Sequence, residues 1–287
     1  MKKKTKLLLG LGLITAPVIY NVIDNNRIRV VREEILIKDL PVEFENFKIL
    51  QISDLHCKSF GYKQKRLLNK INSLDYDILA LTGDMANYRF TDDIKEFIWM
   101  LDGIENKEHM FYVAGNNGPV AIDRESRKKT KMGCFLEEKG CNILEKPFLI
   151  EKNNKKIWIS KYLDKEVYYS YGLDIKEEDL KIAICHYPRN KKFFERIAHT
   201  KIPHYDLILA GHYHGGQFRI PFMGAFYVPD ITGDCFFPSE EKVSGLTTWA
   251  GYNQYVSRGL GSGGRIKELQ FRTFNTPEIN LLTLKRK

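Results

Sequence analysis

The chain has 287 residues and carries 45 Lys+Arg against 36 Asp+Glu, a formal charge of +9, with 43% hydrophobic residues. That length buries a core unaided, and 28% charged with 12% aromatic residues excludes a disordered chain. Five cysteines (Cys57, Cys134, Cys141, Cys185 and Cys235) form no CxxC pair and cannot all pair with one another. That argues against a disulfide framework and against a cysteine-based zinc site.

The positive charge is unevenly spread. Residues 1–32 contain seven Lys/Arg and one acid, and Lys285, Arg286 and Lys287 close the chain. Residues 33–284 hold 35 bases and 35 acids, so the body is neutral. Net charge gives no support for a nucleic-acid footprint, and no nucleic-acid partner is expected.

The N-terminal charges flank an apolar run from Leu7 to Ile23. As a helix these residues span roughly 25 Å, the short end for crossing a hydrocarbon core of about 30 Å. Four lysines precede the run, which keeps the N-terminus inside. Residues 1–28 are therefore predicted to form a single-pass signal anchor in the cell membrane. Residues 29–287 follow as one catalytic domain, placed outside the cytoplasm. A cleaved signal peptide is the first rival, poorly served by Thr15-Ala16 because Pro17 follows. A buried or interfacial helix is the second. Five cysteines sit awkwardly in an extracytoplasmic domain, so an inward-facing domain stays open.

Arg29–Ile37, rich in Val and Ile, reads as the first strand. Further apolar runs lie at Phe47–Ile52, Ile78–Thr82, Met110–Ala114, Lys181–Cys185 and Leu207–Ala210. Between them, Lys63–Ser73 and Thr91–Leu101 repeat apolar residues at helical spacing, and Arg124–Lys139 reads as a third helix. Asn153-Asn154 marks a hairpin between Phe148–Lys152 and Lys155–Ser160. Glu278–Leu284 comes after Pro277 as a closing strand. Strands alternating with helices predict a layered α/β domain with mixed sheets.

The residues at the ends of these five further runs carry the chemistry. The first run leads to Asp54 and His56, the next to Asp84, the third to Asn116, the fourth to His186 and the fifth to His212 and His214. Sites in α/β sheets form at the carboxyl ends of strands. Singly, an Asp there is more often a turn or cap residue. Five such coincidences point to seven ligands converging on one sheet edge. His, Asp and Asn together suit Mn, Fe or Zn better than Mg or Ca. Seven are too many for one tetrahedral ion and suit two divalent metal ions about 3.5–4 Å apart.

The set Asp54-x-His56, Gly83-Asp84, Gly115-Asn116, His186 and Gly211-His212-x-His214 resembles the calcineurin-like metallophosphoesterase superfamily. Gly211–Gln217, Tyr255–Gly261 and the N-terminal anchor resemble its membrane-associated YkuE/YaeI-type branch. The resemblance implies a four-layer sandwich, two facing mixed β-sheets flanked by helices. It implies one metal at Asp54, His56 and His214, another at Asn116, His186 and His212, and Asp84 bridging them. Asp84, Asn116, Asn117 and His186 are then the catalytic set. A metal-activated hydroxide would attack a phosphodiester, phosphomonoester or pyrophosphate of a phosphorylated small molecule or a lipid-like, membrane-proximal substrate.

The third motif departs from the family pattern. Where Gly-Asn-His is usual, this chain has Gly115-Asn116-Asn117, and an amide cannot protonate a leaving group. Losing a general acid typically costs roughly 10²–10⁴ in rate. Activated esters and pyrophosphates would suffer least. A catalytically weakened protein that binds metal and phosphate is the alternative. Three lesser features remain. Gly259-x-Gly261-x-x-Gly264 reads as a glycine turn near the site, not a dinucleotide fingerprint, since no periodic helix comes after it. Arg258 either reaches substrate phosphate or pairs structurally. The aromatic-rich stretch 215–252 reads as a long packed loop or as an apolar wall for a lipid tail.

Overall fold

Short Val-, Ile- and Leu-rich segments pair into two six-stranded sheets. The computed structural model describes residues 15–87, 93–123, 125–163, 170–198, 204–228, 235–263 and 270–287. The first sheet contains β1 (Arg29–Ile37), β2 (Lys48–Ile52), β3 (Ile78–Leu81), β4 (Met110–Tyr112) and β5 (Cys141–Ile143). The second begins with β6 (Phe148–Lys152), β7 (Lys155–Lys161), β8 (Leu180–Ile184) and β9 (Leu207–Ala210). A separate ribbon joins β10 (Arg219–Ile220) to β11 (Gly224–Ala225). Then β12 (Gly245–Trp249) and β13 (Tyr252–Val256) complete the second sheet, and β14 (Glu278–Arg286) returns to the first. The strand orders are β1-β14-β2-β3-β4-β5 and β12-β13-β9-β8-β7-β6. Strands β2 to β5 run parallel to one another, as do β7, β8, β9 and β13.

Alternation along the strands sets the layers. Ile49, Ile78, Ala80 and Phe111 meet Ile159, Ile182, Ile184 and Leu209 in a core between the sheets. Their neighbours Leu50, Ile52, Leu79 and Leu81 face outward onto Leu67, Ile71, Phe97 and Leu101. Those partners come from helices Lys65–Asn72 and Lys95–Gly103. Beyond the second sheet, Ala183 and Ile208 cover Phe194 and Ile197 of helix Lys191–Ile197. The result is the expected layering of helix, sheet, sheet and helix. One polar residue interrupts the inner layer. Gln51 is fully buried, and its Nε2 donates to the Ala210 carbonyl at 2.8 Å and to Thr82 Oγ1 at 3.2 Å. It ties the two sheets directly below the loops that carry the site.

Several sequence expectations need correction. The helix expected over Arg124–Lys139 is confined to Lys131–Glu138. Asp123 Oδ1 accepts from the Ser126 backbone and hydroxyl, each at 2.8 Å, which makes a turn, and Thr130 then caps the helix on Gly133 N at 3.0 Å. The helix expected over Lys63–Ser73 begins only at Lys65, because Lys63 and Gln64 have φ of 47° and 61°. The stretch 215–252 is no simple loop. It holds the β10–β11 ribbon and the edge strand β12, while residues 229–234 lie outside the described part.

Residues 15–25 are helical, with residues 1–14, including the first half of the predicted anchor, outside the described part. No described helix is long and apolar enough to cross a membrane. The helix is fastened to the domain by polar side chains. Asn21 Oδ1 accepts from Phe274 N at 3.0 Å, and Thr276 Oγ1 donates to Asp24 Oδ1 at 2.6 Å. Asn25 pairs both ways with the Arg272 backbone, donating to its carbonyl at 2.6 Å and accepting from its N–H at 2.9 Å.

Candidate functional site

The parallel strands β2, β3, β4, β8 and β9 end at the same edge, and the loops after them bring all eight sequence-predicted residues together. Asp84 lies between two groups: its Oδ2 is 3.5 Å from His56 Nε2, and its Oδ1 is 3.5 Å from His186 Nε2. His186 Nε2 also faces Asn116 Oδ1 at 3.0 Å and His212 Nδ1 at 3.2 Å. Across the cluster, His214 Nε2 is 3.8 Å from Asp54 Oδ1, and the His56 and His214 rings lie 4.9 Å apart. Ligand-type atoms of Asp54, His56 and His214 all lie within 4.8 Å of one another. Those of Asp54, Asp84 and His186 do the same. Asp54 thus belongs to both groupings, while each oxygen of Asp84 faces a different histidine.

The loops reach this convergence under local strain. Asp54, His56, Asp84, His212 and His214 have φ between 48° and 77°, the left-handed region that L-residues with side chains rarely adopt. Two glycines permit the close approach. A Cβ on Gly115 would lie 2.0 Å from Asp84 Oδ1, and one on Gly211 would lie 2.0 Å from Ser53 Oγ. The sequence's later glycine turn lies against the first ligand loop, with Leu260 N donating to Ser53 O at 3.0 Å and Gly261 N to Asp54 O at 2.6 Å.

Electrostatics separate the groups. Burial pushes His56 down to about 4 and holds His214 well below the usual imidazole range. Both rings are therefore neutral, the form that ligates metal. Neither ring nitrogen of His56 nor Nδ1 of His214 makes a hydrogen bond, though all three are buried. Burial lifts Asp54 to about 6. Burial also works against charge on His186, but the Asp84 carboxylate beside it outweighs burial and lifts it to about 9. Burial would raise Asp84 as well, yet the His186 charge holds it far below the ordinary carboxylate range. His186 Nδ1 lies 2.9 Å from the Thr82 carbonyl, which orients the ring so that Nε2 faces the cluster. Uncommitted buried nitrogens, neutral imidazoles and a desolvated carboxylate fit divalent cations.

Asn117 is held on Asp84 twice: its N–H donates to Oδ1 at 2.7 Å and its side-chain amide to Oδ2 at 2.8 Å. Arg258 turns to Glu240 at 2.6 Å, which supports its structural reading. Cys185 faces outward with Ala183 and packs on the outer cluster, as alternation predicts.

Sequence reasoning missed Arg272. Its guanidinium is fully buried and donates to the carbonyls of Asn275, Gly259, Gly261, His214 and Arg258, at 2.8 to 3.1 Å. Asn275 Nδ2 adds a second bond to His214 O at 2.6 Å. No motif marks either residue, because their partners are backbone atoms scattered along the chain. Ser53, whose hydroxyl bonds Asp54 Oδ2 at 2.5 Å, was legible as the neighbour of a ligand.

The calcineurin-like phosphoesterase model matches residues 47–216, which include all eight candidate residues. The chain is 27% identical over 240 residues to the uncharacterised metallophosphoesterase YkoQ of Bacillus subtilis, covering 82% of each chain. It is 26% identical over 233 residues to the phosphodiesterase YaeI of Escherichia coli, covering 75% of this chain and 76% of that one. To YkuE of Bacillus subtilis it is 25% identical over 255 residues, covering 86% and 82%. With its candidate ligands at five strand ends, the chain belongs to the calcineurin-like phosphoesterases, a family that uses divalent metals.

Proposed function

We propose that the protein is a two-metal phosphoester hydrolase whose best substrates have leaving groups that need no protonation. The observation that carries the reading is that two ligand groupings, Asp54–His56–His214 and Asp54–Asp84–His186, each within 4.8 Å, meet at Asp54, while the two oxygens of Asp84 face His56 and His186. Asp54, His56 and His214 would hold one ion; Asn116, His186 and His212 would hold the other, with Asp84 between. Mn, Fe and Zn suit this mixture of imidazole and carboxylate. Such ions supply Lewis-acid activation of water and offset charge on the phosphoryl oxygens.

The chain's own contribution is positioning. Thr82 O fixes the His186 ring, Asn117 holds both oxygens of Asp84, and burial keeps His56 and His214 neutral. Asn117 has no proton to give, so an alkoxide must leave unaided, whereas an aryl oxide or a phosphoryl group leaves without one. The membrane reading is also a proposal. Val18, Ile19, Val22 and Ile23 are exposed on residues 15–25, and the apolar run continues upstream in the sequence. That apolar face suits contact with a bilayer; the single-pass anchor, N-terminus inside and catalytic domain outside the cytoplasm, rests on the charge and hydropathy pattern of residues 1–28. The substrate would then be a phosphorylated small molecule or a lipid-like one near the bilayer, not a nucleic acid.

Aryl and alkyl phosphodiester hydrolysis by the metal-loaded protein tests the reading, with Asp84→Ala as control. The wild type should turn over the aryl ester and Asp84→Ala should not. Asn117→His should raise alkyl turnover by roughly 10²–10⁴ and aryl turnover far less. Equal gains on both esters would refute the leaving-group argument. Full metal occupancy without aryl turnover would make the protein a metal- and phosphate-binding one instead.

A further inference from the structure

One face of the N-terminal helix leaves its work unfinished. Residues 18, 21, 22 and 25 recur at the spacing that places side chains on a single helical face. The two asparagines on that face are committed to backbone bonds with Phe274 and Arg272. The two valines bury little: Val18 and Val22 are 59% and 60% exposed and join no core cluster. They line instead a groove of about 680 Å³, whose other walls include His56, Lys58, Asn87 and Phe271. Its surface is mostly apolar, and its volume falls in the roughly 300–1,000 Å³ range of small-molecule sites.

The groove borders the metal cluster at His56, which lines the one and belongs to the other. Lys58 makes no ion pair among the described residues; its Nζ lies 5.1 Å from the Phe60 ring centroid. A lysine Nζ, a hydrogen-bond donor, next to an apolar wall suits a molecule with an anionic head and an aliphatic tail. The helix that forms the wall also exposes Ile19 and Ile23, each 58% exposed, which favours a bilayer as the source of that molecule.

We propose that this groove binds the aliphatic chain of a membrane lipid phosphoester while its phosphoryl group lies at the cluster. The proposal rests on the phosphoesterase reading for its chemistry but not for its binding. Lys58 would face the head, and Val18, Val22 and Phe271 would take the chain. A soluble phosphoester of the same head would lack that gain.

The test uses the full-length, metal-loaded protein and p-nitrophenyl phosphodiesters bearing methyl, butyl, octyl or dodecyl groups, below micelle-forming concentrations. The value of kcat/KM should climb with chain length, by up to about fourfold per methylene buried. Val22→Asp should lower the dodecyl-to-methyl ratio by about tenfold or more, since it places a charge against the chain, while Val22→Leu should preserve it. Val18→Asp provides a second variant at an equally exposed position. A flat chain-length series overturns the groove while leaving the phosphoesterase standing, as does a slope that survives both aspartates. Calorimetric binding of dodecyl phosphate against inorganic phosphate separates the two ideas further. If no ester is hydrolysed yet dodecyl phosphate binds tighter and loses that advantage in Val22→Asp, the groove stands and the hydrolase reading falls. Hydrolysis of the dodecyl ester embedded in phosphatidylcholine vesicles supports the bilayer source; loss of turnover on embedding overturns it.

Discussion

The two sides of the candidate metal centre are built on opposite principles. Around His186 the side chains satisfy one another: Asp84, Asn116 and His212 all face its Nε2, and Asn117 closes on Asp84. Around His56 and His214 three buried ring nitrogens have no hydrogen bond, and order comes from the backbone beneath. Arg272 and Asn275 grip the His214 carbonyl, and Gly261 grips the Asp54 carbonyl. One side can be held together by a proton where an ion would go. The other is held by main-chain bonds beneath neutral side chains. Preorganisation is thus achieved once through side chains and once through main chain.

Removing one histidine from each side exposes the difference most sharply. His56→Gln and His186→Gln should both cut turnover at least about 100-fold, since each deletes a candidate ligand. Their metal-free stabilities should diverge. His186→Gln leaves Asp84 buried without its cationic neighbour, which costs about 3–5 kcal/mol. His56 is neutral, so His56→Gln strands no buried charge and should cost less, about 1 kcal/mol. Urea denaturation in chelator, beside metal content and aryl phosphodiester turnover, reads both effects. Equal destabilisation would show that the two sides are not built differently.

The sequence carried the side-chain part of this arrangement and almost none of the main-chain part. Each ligand comes directly after a short apolar run, so period-two patterning and the rule that sites form at strand ends placed seven ligands on one edge, and the family resemblance added Asn117. The hairpin at Asn153-Asn154 and the full span of β1 were equally legible, as local signals. Arg272 was not, because a buried guanidinium whose acceptors are five carbonyls leaves no pattern of side chains to recognise. Strand β5 is three residues long, and β12 lies within an aromatic stretch that alternates poorly, so their pairing is decided by the sheet they join. The late start of helix Lys131–Glu138 was encoded locally by Asp123, Ser126 and Thr130, a turn that the reading of Arg124–Lys139 as one polar helix passed over.

Arg272→Met tests the main-chain side alone. Five carbonyls lose their buried donor, and a loss of about 2–4 kcal/mol is expected even though no candidate ligand changes. The Asp54–His56–His214 grouping should loosen first, so metal stoichiometry should fall towards one ion before the fold is lost. Arg272→Lys should recover only part of the effect, because an ammonium offers three donors in a different geometry. Thermal unfolding separates a structural loss from a positioning one when combined with metal analysis. A variant that is destabilised but still binds two ions, with an unchanged ratio of kcat to KM, would reduce Arg272 to a packing role.

The smallest expected effect concerns pH, and it belongs to the side-chain side. His186 is raised from 6.5 to about 9 in the folded, metal-free protein. A raised histidine contributes its full stabilisation below the unfolded value of 6.5 and loses it as pH climbs through 9, because the native state binds the extra proton. His56, lowered to about 4, contributes in the opposite sense. Its stabilisation is fully present above 6.5 and is lost only as pH falls through 4. Asp54, raised to about 6, releases its proton before the His186 window has run its course. Between pH 6.5 and 9, then, His186 dominates the cluster's own pH dependence. An ion that takes Nε2 replaces that proton, so metal binding should release a proton across this window and tighten as pH rises. The gap in Tm between metal-loaded and metal-free protein should therefore widen from pH 6.5 to 9, by the equivalent of up to a few kcal/mol. Taking the difference between the two forms cancels groups remote from the cluster, such as Lys181. His186→Gln should flatten the widening, whereas His56→Gln should leave it intact. A widening that depends on His56 instead would place the exchanged proton on the wrong side of the centre.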